Sequence, residues 1–286
     1  MKDGIILINK EKGMTSRSVD NQIQRLFHIK KVGHLGTLDP FATGLLIVAI
    51  NKGCKALPYL YDEDKTYIAE LFLGIKTNSG DLTSEVVEKK DIPSISKEEI
   101  NKVFESFLGE SKQIPPMTSA IHINGKRLYD LAHSNIEVER KPRSIHIHSL
   151  KLLEFKDSII KFEVKCSKGT YVRTLGEDIA VKLNTVGHLI SLSRIKIGDI
   201  FTLNEAKEIK DIKEENVLDV CKGIQYPHIL LEDEQLIKDV YQGKQIVLNS
   251  LEKTVLLTYR LDNEEKALAV YNLIKEGIYA PIRGLW

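Results

Sequence analysis

The sequence predicts an α+β fold, with a mixed or antiparallel sheet in a large first domain and a small β-rich domain after it. Apolar strand-like segments and amphipathic helical segments interleave without the regular strand–helix–strand rhythm of a doubly wound sheet. Residues 145–155 and 158–167 read as two strands joined by a short turn at Lys156 and Asp157, which indicates a hairpin. Several short strand candidates after residue 240 indicate the β-rich appendage.

Apolar patterning and capping residues place the individual elements. Strands are predicted at residues 4–9, 45–50, 67–73, 145–155, 158–167, 189–197, 246–248, 255–259 and 267–271. Helices are predicted after capping side chains at Thr15 or Ser16 and at Ser96, and a third helix is predicted over residues 170–183. Residues 31–43 are too rich in Gly, His, Asp and Pro for a regular element, and residues 225–235 read as a linker or short helix. The first helix carries its apolar residues on one face, at Val19, Ile23, Leu26 and Phe27.

Composition limits the classes of protein to which the chain can belong. The 286 residues are 42% hydrophobic and 28% charged, which is typical of a soluble globular chain. A net charge of +1 gives no support to nucleic-acid binding, although basic residues cluster between residues 126 and 148. That cluster fits a polyanionic partner and fits an ordinary solvated surface equally well. The first apolar run is too short to span a membrane, which favours a cytosolic protein. The cysteines have no metal-ligand spacing, so we expect small buried hydrophobes at Cys54, Cys166 and Cys221.

The strongest chemical signal is the loop of residues 33–44, G-H-L-G-T-L-D-P-F-A-T-G, between a helix and a buried strand. Its glycines permit backbone conformations that other residues resist, and Pro40 keeps Asp39 out of the helical region. The loop therefore holds one carboxylate rigidly at the mouth of a sheet, where it suits a nucleophile or a general base. The Asp-Pro dipeptide alone is also consistent with a turn in which Asp39 hydrogen-bonds its own backbone.

The whole loop resembles the defining motif of TruB-type tRNA pseudouridine synthases, G-H-x-G-x-L-D-P-x-A-T-G, and matches it at every fixed position. Further segments resemble the family in order and spacing. They are K-E-K-G-M-T-S at residues 10–16, K-T-Y at 65–67, Q-I-P-P-M-T-S-A at 113–120 and C-S-K-G-T-Y-V-R at 166–173. The resemblance covers about residues 4–200 and identifies the chain as a member of this family.

The resemblance implies an enzyme that isomerises one uridine of the tRNA T-arm, at position 55, to pseudouridine without a metal or other cofactor. The base must be flipped out of the stack before it can react. Asp39 is implied as the catalytic carboxylate, and Arg173 as the cation that pairs with Asp39 and favours its ionised form. Tyr67 is implied to stack on the flipped uracil and is a candidate base for its C5 proton. An ordinary core position is the alternative for Tyr67.

Other residues are implied as contacts of the substrate or the RNA. Lys10 would brace the pocket wall, and His34 would fill the space that the flipped base leaves in the RNA stack. Leu192 would line the pocket, with ordinary strand packing as an equally simple alternative. The full set is Lys10, His34, Tyr171, Leu192, Lys126, Arg127 and Arg143.

The resemblance also implies the domain organisation. Residues 1–228 would form the pseudouridine synthase catalytic domain, with a T-arm-binding insertion at about residues 77–140. Residues 229–286 would form a PUA-like RNA-binding domain, and the protein would act as a monomer. Three positions depart from the family pattern: Glu11 replaces a Pro, and His133 and Asn135 replace an Arg and a Gly.

Three other interpretations remain open at this point. A non-catalytic tRNA-binding or RNA-folding protein could use the same scaffold, although it would have no use for a desolvated Asp–Arg pair. Residues 62–66, D-E-D-K-T, match the D-x-D-x-T pattern of aspartyl-phosphate hydrolases, which normally follows a buried strand. His146 and His148 could be two metal ligands on one strand face, but no matching cluster stands nearby in the sequence.

Overall fold

The computed structural model describes residues 2–117, 119, 122–123, 126–127 and 138–286. Its helices are α1 (Ser16–Phe27), α2 (Lys97–Glu105), α3 (Val172–Lys182) and α4 (Glu234–Tyr241). None of the helices within these ranges is long and apolar enough to cross a membrane. The strands are β1 (Gly4–Lys10), β2 (Val32–Leu35), β3 (Thr43–Ile50), β4 (Lys65–Leu73), β5 (Ile75–Thr77), β6 (Val86–Lys89), β7 (Gly109–Gln113), β8 (His122–Ile123), β9 (Lys126–Arg127), β10 (Arg143–Lys156), β11 (Ile159–Cys166), β12 (Gly187–Ile197), β13 (Phe201–Thr202), β14 (His228–Leu230), β15 (Ile246–Val247), β16 (Thr254–Leu261), β17 (Glu264–Lys275) and β18 (Ile278–Gly284).

The chain folds into two compact units. The first unit contains residues 1–40, 44–62 and 199–286, and the second contains residues 41–43 and 63–198. This α+β arrangement with antiparallel and mixed sheets confirms the predicted fold class. The predicted domain boundary between residues 228 and 229 stays a prediction.

In the first unit, β3 pairs antiparallel with both β1 and β2. The side chains of β1 and β3 are almost all buried, as their continuous apolar sequences predict. The segment after β13 lies beside the other edge of β1. There, Ile5 N–H donates to the Leu218 carbonyl at 2.9 Å, and Lys207 N–H donates to the Leu7 carbonyl at 3.0 Å. These hydrogen bonds satisfy part of the β1 backbone that β3 leaves unpaired.

A second sheet in the first unit has the strand order β14-β16-β17-β18-β15. Only its β14–β16 pair is parallel, and the other pairs are antiparallel. The sheet has its own hydrophobic core, in which Tyr271 and Tyr279 are fully buried. Each of their hydroxyls donates to a backbone carbonyl, of Lys244 at 2.9 Å and of Glu252 at 2.7 Å respectively. These bonds remove the cost of burying the phenolic oxygens.

The second unit is built on an antiparallel sheet with the strand order β12-β4-β11-β10-β7. The hairpin of β10 and β11 turns at Asp157 and Ser158, which both adopt positive φ angles. Helix α2 is anchored on this sheet by Phe104, whose ring meets that of Phe162 edge-on at 5.8 Å. Its predicted cap is confirmed, because Ser96 and Glu99 form a reciprocal capping box.

The structure corrects several expectations at the level of elements. Part of the segment 31–43 is a strand, β2, although its sequence reads as a loop. The segment 225–235 contains β14 and the start of α4, and the last strand, β18, was not predicted. In α1, Leu26 is 47% exposed, and Asp20 takes a fully buried position on the helix. The buried face of α1 is therefore formed by Ser16, Val19, Asp20 and Ile23.

Gly53 offers a test of how tightly the first unit is packed. A Cβ atom added to Gly53 would lie 2.1 Å from the backbone oxygen of Gly4 in β1. The Gly4 oxygen belongs to the backbone and cannot rotate away from the new methyl group. Gly53→Ala is therefore expected to lower the free energy of unfolding by about 1–3 kcal/mol. Urea unfolding followed by circular dichroism measures the change. The exposed neighbour provides the control, since Lys52→Ala should stay within about 0.5 kcal/mol of the parent. Equal midpoints for the two variants would contradict the packing described.

Candidate active site

Asp39 lies in a loop that is held on both sides of the carboxylate. Before it, Leu38 N–H donates to the Ser16 hydroxyl at 2.9 Å, and that hydroxyl donates to the Leu38 carbonyl at 3.2 Å. After it, the Pro40 carbonyl accepts from Gly13 N–H at 2.7 Å and from Lys10 Nζ at 3.4 Å. The half-buried Asp39 is therefore fixed through its two chain neighbours.

Lys10 is the central element of this attachment. Its residue is fully buried, and its ammonium also donates to the carbonyls of Glu11 at 3.0 Å and Met14 at 2.7 Å. A buried ammonium is costly unless hydrogen bonds replace its water shell. These three carbonyls belong to the turn after β1 and to the Asp39 loop, so Lys10 ties the two segments together. The predicted brace thus acts on the loop backbone.

His34 is held at both ring nitrogens. Its Nδ1 lies 2.9 Å from Asp20 Oδ2, and its Nε2 lies 3.3 Å from the Thr37 hydroxyl. The His34 side chain remains 18% exposed, whereas that of Asp20 is 1% exposed. Gly36 makes the turn between His34 and Asp39 with a φ of +67°, a conformation that favours glycine.

In the second unit, strands β4 and β12 place Tyr67 and Leu192 on one face of the sheet. Tyr67 is opposite Arg194, and Ala69 is opposite Leu192, so Leu192 is a diagonal neighbour of Tyr67. Tyr67 is 9% exposed and Leu192 is 6% exposed. Both residues are consequently able to line a mostly apolar recess, and both also satisfy the simpler expectation of core packing.

Arg173 lies in the first turn of α3 and is buried. Its guanidinium donates to the Ser79 carbonyl at 2.9 Å and forms an ion pair with Asp81 Oδ2 at 3.5 Å. The other Asp81 oxygen accepts from the Ser79 hydroxyl and from Thr83 N–H, each at 2.9 Å. Both oxygens of the buried Asp81 carboxylate are thus engaged, Oδ1 by hydrogen bonds and Oδ2 by the Arg173 guanidinium. These contacts offset the cost of removing the carboxylate from water. The pairing of Arg173 with Asp39 stays a prediction.

Tyr171 is positioned by the motif residue Gln113. The Gln113 side-chain amide donates to the Tyr171 carbonyl at 3.1 Å and accepts from Tyr171 N–H at 2.7 Å. This reciprocal pair imitates a strand ladder and fixes the start of α3, the helix that carries Arg173. Two motif segments that are far apart in sequence thereby meet in the second unit.

The remaining predicted RNA contacts are only partly covered by the structure. Arg143 is exposed at the start of β10. Lys126 and Arg127 form β9, which pairs with β8. Their side chains lie outside the part of the chain that the structure describes. The departures at His133 and Asn135 also lie outside the described residues.

The two histidines considered as metal ligands form a stack. Their rings lie 4.5 Å apart, and His148 Nε2 is 2.9 Å from Asp64 Oδ1. Within the described ranges, no group of three His, Cys, Asp or Glu residues could hold a metal ion. Asp62 and Asp64 precede the strand β4, whereas the hydrolase pattern normally follows a strand.

All three cysteines are free thiols. Burial raises the pKa of Cys166 to about 12, which makes this motif residue an inert packing group at neutral pH. Burial also raises the pKa of Cys54, and the nearby Asp20 carboxylate raises it further. Cys54 and Cys221 are only half-buried, so the expectation of small buried residues is right for Cys166 alone.

Comparison with known proteins identifies the family. The model of the TruB family pseudouridylate synthase N-terminal domain matches residues 24–172. This chain belongs to that family. It is 42% identical over 273 residues to a tRNA pseudouridine synthase B of Hydrogenovibrio crunogenus, covering 94% of this chain and 88% of the relative. It is also 44% identical over 228 residues to a tRNA pseudouridine synthase B of Bacillus pumilus, covering 77% and 74% respectively.

The TruB-family fold also has a solved counterpart at low sequence identity. A structure described as a Cbf5-Nop10-Gar1 complex is similar to this chain with a TM-score of 0.73 and 19% identity. The similarity covers 99% of this chain and 85% of the other. At this identity the comparison supports the fold alone. The structural similarity includes the C-terminal sheet.

Three side chains contact motif residues in ways that the sequence of this TruB-family protein does not predict. Ser16 is a candidate helix cap and the last residue of the motif segment 10–16, and the structure adds its contact with Leu38. Asp20 has a signal in the sequence, because it lies on the same helical face as Ser16 and Ile23, where a polar residue is unexpected. Asp81 lies in a loop of turn-forming residues, N-S-G-D, which is a signal for a structured turn but not for an arginine partner.

The buried pair of Asp81 and Arg173 predicts a large effect on stability. Asp81→Ala removes the carboxylate but leaves the guanidinium buried, so the free energy of unfolding should fall by about 3 kcal/mol. Asp81→Asn keeps the hydrogen bonds of the turn and should cost less. Urea unfolding monitored by circular dichroism compares both with Asp157→Asn, an exposed aspartate in the β10–β11 turn that should be neutral. An Asp81→Ala midpoint equal to that of the control would show that the pair is unimportant for folding.

Proposed function

We propose that this TruB-family protein isomerises uridine to pseudouridine in tRNA, at position 55 of the T-arm. The observation that carries the proposal is the half-buried carboxylate of Asp39, held through both of its chain neighbours inside the family motif. The relatives named tRNA pseudouridine synthase B support the reaction and the class of RNA.

The reaction breaks the bond between N1 of uracil and C1′ of the ribose, rotates the base and joins C5 to C1′. Atoms and electrons balance within the nucleotide, so the chemistry needs a carboxylate and a proton acceptor but no oxidant or reductant. Asp39 supplies the carboxylate, acting by attack on C1′, by addition to C6 or by removal of the 2′ proton. A rigid loop favours each of these steps because it places the reactive oxygen before the substrate arrives.

We assign the pocket for the flipped base to the face of the sheet that carries Tyr67 and Leu192. An aromatic ring on a buried strand can stack on the uracil, and Leu192 supplies an apolar wall beside it. Tyr171 lines the same pocket, and Arg173 pairs with Asp39 and keeps it ionised. The pairing of Arg173 with Asp39 rests on the family motif, and the contacts with Asp81 and Ser79 hold the guanidinium in place.

A basic cavity in the first unit supports binding of the tRNA backbone. Its volume is about 570 Å³, and among the described residues that line it Asp3 is the only acidic one. Lys52 forms an ion pair with Asp3 at 3.7 Å, which leaves a net positive surface. Such a surface neutralises phosphates and releases counterions on binding. The cationic side chains that line the cavity are Lys30, Lys31, Lys52, Lys55 and Arg283.

Further RNA contacts are proposed for regions whose roles rest on the family resemblance. The insertion at residues 77–140, with Lys126 and Arg127, and the exposed Arg143 would hold the T-arm stem through its phosphates. Residues 229–286 would act as a PUA-like RNA-binding module, which their separate hydrophobic core supports. The protein would work in the cytosol as a monomer. A non-catalytic RNA-folding role is not favoured, because relatives across most of the chain are named as synthases.

Asp39→Asn tests the catalytic assignment. The change keeps the size of the side chain but removes the charge, so the single-turnover rate should fall at least about a thousandfold. Affinity for tRNA, measured by filter binding, should change by less than about threefold. The reaction is followed on unmodified tRNA transcript in EDTA, with pseudouridine mapped by reverse transcription after carbodiimide treatment.

The matched control is Asp211→Asn, which changes an exposed aspartate in the same unit and should leave both rate and affinity unchanged. A rate for Asp39→Asn above about a tenth of the parent would reject Asp39 as the catalytic carboxylate. A parent protein that makes no pseudouridine in tRNA would reject the proposed function itself.

Two substitutions of Tyr67 separate its possible roles. Tyr67→Phe keeps the stacking face and removes the hydroxyl. If the hydroxyl takes the C5 proton, this variant should bind RNA normally yet stall before product release, with an intermediate trapped on tRNA. If the ring only stacks, Tyr67→Phe should be nearly as fast as the parent. Tyr67→Ala should fail in both cases and should bind substrate about 1–3 kcal/mol more weakly. Full activity of Tyr67→Ala would return Tyr67 to a packing role.

A further inference from the structure

Helix α1 places two polar side chains of its buried face against the motif loop. Ser16 contacts Leu38 beside the catalytic carboxylate, and Asp20 contacts His34 at the other end of the loop. The two residues are four positions apart and therefore lie one above the other on the helix. One rigid element thus holds both ends of the loop that carries His34 and Asp39.

Asp20 is an unusual residue for this helical face. It is fully buried and its neighbours on the face include Val19 and Ile23, which belong to the apolar core. Among the described residues, His34 at 2.9 Å and Arg17 Nη1 at 3.4 Å contact Asp20, and both contact its Oδ2 atom. Oδ1 is buried without a hydrogen-bond partner among the described residues.

This arrangement is a poor one for stability alone. A buried carboxylate with one unsatisfied oxygen carries a desolvation cost that a hydrophobic side chain of similar volume would not carry. Arg17 offsets little of this cost, because its side chain is 68% exposed and its ion pair is screened by water. The strong contact that remains is the short one to His34, so the position of Asp20 makes most sense through that histidine.

The contact has a defined effect on the imidazole. A carboxylate oxygen can only accept, so Nδ1 of His34 must carry its proton. Nε2 is then the atom that faces the Thr37 hydroxyl, at 3.3 Å. With both ring nitrogens directed, the plane of the ring is fixed while part of its surface stays open to a ligand. Pre-orientation of this kind lowers the entropy lost when a base stacks on the ring.

We propose that Asp20 is a positioning residue for RNA binding, which orients His34 and fixes its Nδ1 proton before a nucleobase stacks on the imidazole. The inference rests on the proposed function, in which His34 occupies the space left by the flipped uridine. Asp20 does not touch the RNA. Its removal therefore weakens productive binding of the substrate only while His34 is present.

A double-mutant cycle tests this dependence. Asp20→Leu should raise the KM for unmodified tRNA about tenfold and change kcat at saturating tRNA by less than about threefold. Asp20→Asn keeps one acceptor oxygen and should restore part of the affinity. In the His34→Ala background, which itself raises KM, Asp20→Leu should have no further effect, because the residue through which it acts is gone.

Two physical readouts separate positioning from a structural role. The Tm of Asp20→Leu should equal or exceed that of the parent, since the substitution removes the unsatisfied buried oxygen. Ring ¹⁵N shifts of labelled histidine, with His34 assigned by its loss in His34→Ala, should show a fixed Nδ1–H form in the parent and a tautomer mixture in Asp20→Leu. Arg17→Gln is the control, since it removes the other partner of Oδ2 and should leave the His34 signal unchanged.

Each outcome decides the question. A lower Tm with equal losses of activity in both backgrounds would mean that Asp20 is structural, and the proposal would fail. A His34→Ala variant with the KM of the parent would reject His34 as the group on which Asp20 acts, while pseudouridine formation by the parent would leave the proposed function intact. A parent without this activity would remove the basis of both. Should Asp20→Leu fail to fold, Asp20→Asn carries the same cycle with a smaller expected effect.

Discussion

The buried ammonium of Lys10 is the interaction on which the candidate site depends. It holds the turn after β1 and the carbonyl of Pro40 together, and the peptide that follows Pro40 cannot move without breaking this contact. Its burial is compatible with folding because backbone carbonyls replace the lost water. A charged group in the interior therefore holds a loop whose apolar side chains Leu38, Phe41 and Ala42 are also buried. Ser16 completes the attachment on the other side of Asp39.

The two units contain buried carboxylates of different kinds. Asp81 is buried with its oxygens directed at Ser79, Thr83 and Arg173, so its environment compensates for the loss of water. Asp20 is buried with one oxygen uncompensated. The first kind contributes to folding, whereas the second is expected where a function retains a group that stability alone would not select. Each contacts a second side chain, Arg173 for Asp81 and His34 for Asp20.

Much of the fold follows from local sequence. The apolar strands β1, β3, β4 and β12, the β10–β11 hairpin and the Ser96 cap of α2 all match the patterns that predicted them, because each is determined by periodicity or by a side chain that caps its own backbone. Strand β2 does not follow from its sequence. Its Gly and His residues resemble a loop, and only pairing with β3 makes the segment extended. The sequence does not predict the pairs Asp20–His34 and Asp81–Arg173 either. Their residues are 14 and 92 positions apart, and tertiary packing brings them together. The motif loop, in contrast, pointed to Asp39 directly, because its sequence is a fixed string of residues.

Strand β18 escaped prediction for a reason that also affects how the protein behaves in solution. It contains Pro281, which lacks a backbone N–H, and its outer neighbour β15 covers only Ile278 and Tyr279. The rest of β18 forms part of the rim of the C-terminal sheet. A rim of unpaired backbone groups invites strands of other molecules to add to it, and such growth leads to aggregation. Proline interrupts that template at its middle, so this sheet can end in a short, incomplete strand and still resist edge-to-edge association in a crowded cell.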